Sequence, residues 1–103
     1  MIIRWLESAL ADIEDIKNYI KRDSEYYAYD FTNKIFENVE LLLTAPKMGR
    51  VVPETNNKKV REIIYHNYRI IYRLYDNNEI QILAVIHGSR DLRKKKNRKW
   101  ELP

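Results

Sequence analysis

The feature that most constrains this chain is a change of hydrophobic period part-way along it. Between Leu6 and Leu42 apolar residues recur at intervals of three and four. Between Val60 and His87 the runs become short, rich in Ile, Val and Tyr, and separated by turn residues. Leu6, Ala9, Leu10, Ile13, Ile16, Tyr19 and Ile20 predict a first helix from about Ser8, with Asp12, Glu14, Asp15 and Lys17 on the opposite face. Lys21-Arg22 fall in its last turn, where cations complement the carbonyl end of the dipole. Asp23-Ser24 offer capping oxygens for a second helix that buries Ala28, Phe31, Ile35, Val39 and Leu42, with Pro46 as its stop. So short a turn makes the two helices an antiparallel hairpin.

After an irregular stretch over 46–58, strands are expected at Val60–Tyr65, Tyr68–Tyr75 and Glu79–His87. His66-Asn67 and Asp76-Asn77-Asn78 are the turns. With Met1–Trp5 as a short β-leaning start, the expected class is α+β in the order β-α-α-β-β-β. It has an antiparallel sheet packed on one face by the helical hairpin. A chain of 103 residues holds one such core, read as a single domain over 1–103 with a basic C-terminal tail at about 89–103.

There is no cysteine, which excludes disulfides, zinc–thiolate sites and thiol nucleophiles. Two histidines without clustered carboxylates give no metal site, so neither a metal nor another cofactor is expected. No apolar run is long enough to span a bilayer, and the expected location is the cytoplasm. Charge is unevenly spread. Residues 1–57 carry seven Lys and Arg against ten Asp and Glu, and residues 58–103 carry twelve against five. A chain that gathers its positive charge at one end is suited to a polyanion or an acidic partner there.

Alternation along Tyr68–Tyr75 sorts Tyr68, Ile70, Tyr72 and Leu74 onto one face and Arg69, Ile71, Arg73 and Tyr75 onto the other. With the following turn centred on Asn77, Arg69 lies opposite Val85 and within reach of His87, and Arg90 follows at the strand end. Arg69, His87 and Arg90 are therefore expected to converge. Arginines can clamp a phosphodiester and stabilise its transition state, and a histidine can move a proton. Cleavage of RNA by its own 2′-hydroxyl is the simplest reaction such a set supports. On the alternative reading these arginines hold Glu62, Asp91 or a partner's carboxylate. His66 reads as a surface turn residue. Trp100 and Tyr26-Tyr27-Ala28-Tyr29 could stack on bases, with helix-surface or partner contact the other reading for the tyrosines.

Ala9-Leu10-x-Asp12-Ile13-x-x-Ile16-x-x-Tyr19-Ile20, Pro46-x-x-Gly49-Arg50-x-Val52-Pro53-Glu54, Val60-Arg61-Glu62, Tyr68-Arg69-Ile70-Ile71-Tyr72-Arg73 and Val85-Ile86-His87-Gly88-Ser89-Arg90-Asp91-Leu92 occur in that order. Together they resemble the RelE/ParE superfamily of type II toxin–antitoxin toxins over nearly the whole chain. The resemblance implies growth arrest relieved by a cognate antitoxin that wraps the toxin. It also implies one of two targets. RelE-like members enter the ribosome and cut mRNA, whereas ParE-like members poison DNA gyrase without chemistry of their own.

On the RelE-like reading, preferred here for the basic C-terminal half, the chain is a metal-independent endoribonuclease. Arg69, His87 and Arg90 are then catalytic, and Lys58, Lys59, Arg61, Arg73, Arg93, Lys94, Lys95 and Lys96 contact RNA. A departure is the lack of a RelE-type tyrosine after Arg90, which leaves His87 or a lysine to move the proton.

Overall fold

In a computed structural model, which describes residues 1–90, 92 and 93, the elements are β1 (Ile2–Trp5), α1 (Glu7–Lys21), α2 (Glu25–Glu40), a 3-10 turn (Leu41–Leu43), β2 (Arg50–Val51), β3 (Val60–Tyr65), β4 (Tyr68–Tyr75) and β5 (Glu79–His87). The sheet order is β1-β5-β4-β3-β2. The expected β-α-α-β-β-β layout is present. Two details add to it. Arg50-Val51, inside the stretch read as irregular, pairs antiparallel with β3. β1 lies parallel to β5, so the sheet expected to be antiparallel throughout is mixed at this edge.

The helices form where the apolar spacing places them. Ser24 caps α2, its Oγ accepting from Tyr27 N–H at 3.1 Å. Of the α2 stripe, Ala28, Phe31, Ile35, Val39 and Leu42 are all buried, although the α-helix gives way to the 3-10 turn well before Pro46. The α1 stripe is narrower than the spacing suggests. Ala9 and Ile13 are buried, Leu10 and Tyr19 are exposed, and Leu6 turns to the far side of the sheet.

The sheet is covered on both faces. Ala9, Ile13, Phe31, Ile35 and Val39 meet Ile63, Ile70, Tyr72, Ile80, Ile82 and Val85 on the helix side. On the other side Val52 and Leu92 lie over Val60, Ile71, Leu83, Ala84 and Ile86. Both faces of the last strand are thus covered by this chain's own residues, the helices on one side and Val52, Leu92 and Leu6 on the other.

The register between β4 and β5 changes once. From Tyr75↔Glu79 to Tyr72↔Ile82 the pairing follows a turn centred on Asn77. A bulge between Ile71 and Tyr72 then makes Ile71 pair with Ala84, Ile70 with Val85 and Tyr68 with His87. Helix α1 is fastened at this point. Ser8 Oγ donates to Leu83 O (2.7 Å), Val85 N–H donates to Asp12 Oδ2 (2.9 Å), and Leu6 N–H donates to Ile82 O (3.0 Å). Asp12, expected among solvated residues, instead faces the sheet. Among the described residues no helix is long and apolar enough to cross a membrane.

Candidate functional site

At the end of the sheet formed by the close of β5 and the start of β4, one arginine organises everything around it. Arg69 is 4% exposed. Its Nε donates to Glu62 Oε1 (2.6 Å), and its Nη1 and Nη2 donate to Glu54 Oε2 and Oε1 (both 2.8 Å). Nη1 also donates to Arg90 O (2.9 Å). Glu62, itself buried, accepts a second charged donor, Arg50 Nε, at 2.6 Å. Glu54 accepts from Leu92 N–H at 3.2 Å. Two arginines thus face two carboxylates, and the network ties β3, β4, the 50–54 segment and the turn after β5 into one clasp. A bidentate carboxylate–guanidinium pair of this kind is strong because both partners are charged and geometrically matched. The hydrogen bonds from Arg69 hold the Glu54 carboxyl at about 2, against the opposing effect of burial. The same bonds push the Arg69 guanidinium above its ordinary value.

A shallow polar hollow of about 540 Å3 opens beside the clasp, lined by Glu54, Asn56, Arg69, Ser89, Arg90 and Arg93 among others. Arg69 and Arg90 therefore do meet at one sheet end, but through the Arg90 carbonyl. His87 does not join them as expected. The bulge moves Arg69 from opposite Val85 to opposite Ile86 and sets His87 against Tyr68, on the helix side of the sheet. There its ring stands edge-on to Tyr68, 5.9 Å between centroids, and its Nδ1 lies 2.7 Å from Ser89 Oγ.

The family model that matches this sequence, over residues 3–92, is the ParE toxin of type II toxin–antitoxin system, parDE. The chain belongs to the ParE toxin family. The fold agrees with a solved chain described as the chromosomal ParDE TA system from P. aeruginosa. The TM-score is 0.70 with 24% identity, covering 84% of this chain and 95% of that one. No curated protein gives a significant match.

The remaining expected contacts of this ParE-family toxin lie elsewhere. Lys58, Lys59, Arg61 and Arg73 gather at the opposite end of β3 and β4, where Val60 pairs with Arg73. Arg61 Nη1 donates to Gly49 O (2.9 Å) and Lys47 O (3.4 Å), Lys59 Nζ to Asp76 (3.2 Å), and the Arg73 guanidinium lies 5.1 Å from the Tyr75 ring centroid. These four cations do not form one surface with Arg90 and Arg93. Lys94, Lys95, Lys96, Asp91 and Trp100 lie outside the described residues. His66, in the β3–β4 turn, adopts φ 52° and is exposed, a turn residue as read. Tyr26, Tyr27 and Tyr29 are exposed on α2. No group of three or more His, Asp or Glu side chains suited to a metal is present among the described residues.

Sequence reasoning missed Glu54. It lies in an irregular segment and figures in the sequence only as the end of the Pro46-x-x-Gly49-Arg50-x-Val52-Pro53-Glu54 motif, with no partner assigned. The fully buried Val52 fixes that segment against the sheet.

Proposed function

We propose that this ParE-family toxin arrests growth by binding and inhibiting DNA gyrase, and that a cognate antitoxin neutralises it by binding the toxin. The observation that carries this reading is the state of Arg69. Four of its N–H directions already meet Glu54, Glu62 and the Arg90 carbonyl. To hold a scissile phosphate it would have to leave Glu54 without its cation and the buried Glu62 with Arg50 alone, a cost of about 3–5 kcal/mol. His87 faces the other side of the sheet, so the Arg–His–Arg set that RNA cleavage would use is not assembled. Arg69 instead acts as a fastener for the turn that leads into the basic C-terminal segment, which serves as the contact surface for gyrase.

The test follows methionine and thymidine incorporation in parallel after induction without antitoxin, together with a supercoiling and DNA-cleavage assay on purified gyrase. Thymidine incorporation is expected to fall first, with trapped double-strand breaks and intact mRNA. Early collapse of methionine incorporation with ribosome-dependent mRNA cuts would overturn the reading and restore the endoribonuclease. A purified chain that forms no complex with the product of the neighbouring gene would overturn the antitoxin part.

A further inference from the structure

The sheet end opposite the clasp carries a groove of about 640 Å3. Its floor and walls are largely apolar, formed by Met1, Pro46, Met48, Leu74 and the Tyr75 ring. Met1 and Met48 are each about half exposed, at 46% and 48%. Around it stand Lys47, Lys58, Lys59 and Arg61, with Asp76 and Glu79 as the carboxylates. Both carboxylates are already engaged, Asp76 by Lys59 and Glu79 by Arg4 at 3.3 Å. Arg61 is held by the carbonyls of Lys47 and Gly49. Those acceptors are neutral dipoles, so they orient its guanidinium without cancelling its charge.

We infer that this groove docks an acidic peptide segment of a protein partner, with a bulky apolar side chain seated between Met48 and Leu74 and flanking carboxylates meeting Lys47, Lys58 and Arg61. The argument is one of complementarity. Cations whose charge is uncompensated attract carboxylates and set orientation. The methionine-lined floor accommodates apolar side chains of varied shape. A nucleic-acid track would present a continuous basic surface with several stacking faces, whereas the lining here is largely aliphatic and thioether. Its aromatic ring, Tyr75, already carries the Arg73 guanidinium 5.1 Å from its centroid. Lys47 and Lys58 lie on exposed turns, and among the described residues neither is paired with a carboxylate, so both can meet a partner. The inference does not depend on which target the toxin inhibits.

The test uses the full chain, isotope-labelled, titrated with a capped hexapeptide of sequence Glu-Leu-Phe-Glu-Leu-Glu and followed by amide chemical shifts. Saturable shifts are expected at residues 47–48, 58–61 and 74–75. K47E with K58E should weaken the affinity about tenfold or more, with an unchanged far-ultraviolet spectrum and melting temperature. Met48→Glu should weaken it as well. Replacing Leu and Phe of the peptide with Ser should abolish binding, and an oligouridylate should not displace the peptide. Absence of saturable shifts at those amides would overturn the inference, as would equal binding of the Ser peptide. Tighter occupation by the oligouridylate would overturn it too, and would mark the site as a nucleic-acid surface.

Discussion

The two ends of the β3–β4 pair each present a buried or half-buried arginine, and they treat it in opposite ways. Arg69 is surrounded by carboxylates, and its charge is consumed inside the protein. Arg61 is surrounded by carbonyls, and its charge remains available. The same side chain is therefore architecture at one end and a candidate contact at the other. A basic residue's meaning depends on whether its partners are ionised, which neither composition nor strand alternation reveals.

The widest gap between the two ends should be in stability. Arg69→Met leaves Glu54 without its cation and the buried Glu62 with Arg50 alone, and is expected to cost about 3–5 kcal/mol in urea unfolding. Arg61→Met removes a donor to two carbonyls and should cost only about 1 kcal/mol. Equal losses would break the comparison.

Acid should act on the clasp end next. The Glu54 carboxyl is held at about 2, below the ordinary 4.5, so its contribution is fully present above about pH 4.5 and is lost as the pH falls toward 2. That shift corresponds to about 3 kcal/mol. Glu54→Gln should remove most of the acid dependence in this window, seen as a flatter plot of unfolding free energy against pH. A Gln variant with an unaltered acid limb would relocate the effect to another carboxylate.

A smaller loss is expected between the two ends, where the 46–49 turn presses on the sheet. A Cβ at Gly49 would come within 2.6 Å of Glu62 O and of the Tyr72 hydroxyl. That hydroxyl accepts from Gly49 N–H (3.0 Å) and donates to Pro46 O (2.8 Å). Gly49→Ala should therefore destabilise by about 1–3 kcal/mol, measured as a lowered urea midpoint. Last, Lys58→Glu should leave stability within about 0.5 kcal/mol, since the residue is exposed. A larger effect would mean that the groove end, too, is part of the scaffold.

The secondary structure was legible because burial imposes periods of 3.6 and 2 on the sequence, as Ile35, Val39, Ile70 and Tyr72 illustrate. The partnership of Arg69 with Glu62 was legible as one of two readings. What was hidden follows from one inserted residue. Alternation and turn position fix a register only for an unbroken ladder, and the bulge beside Ile71 shifts His87 away from Arg69. Glu54 and Asp12 were hidden for another reason. Each finds its partner across the fold, an arginine in one case and a backbone amide in the other, and local pattern carries no trace of either.

The fastening of α1 at the bulge bears on how the molecule assembles. A bulge leaves ladder groups without a cross-strand partner. Here the neighbouring carbonyl of Leu83 and amide of Val85 are satisfied by Ser8 and Asp12, one helical turn apart on α1. A β4–β5 hairpin formed alone would leave those groups to water, and α1 alone would have nothing to grip. Helix and hairpin complete one another like a bolt and its keeper, so the helix can neither slide along the strands nor dock on a wrongly registered pair without forfeiting both bonds.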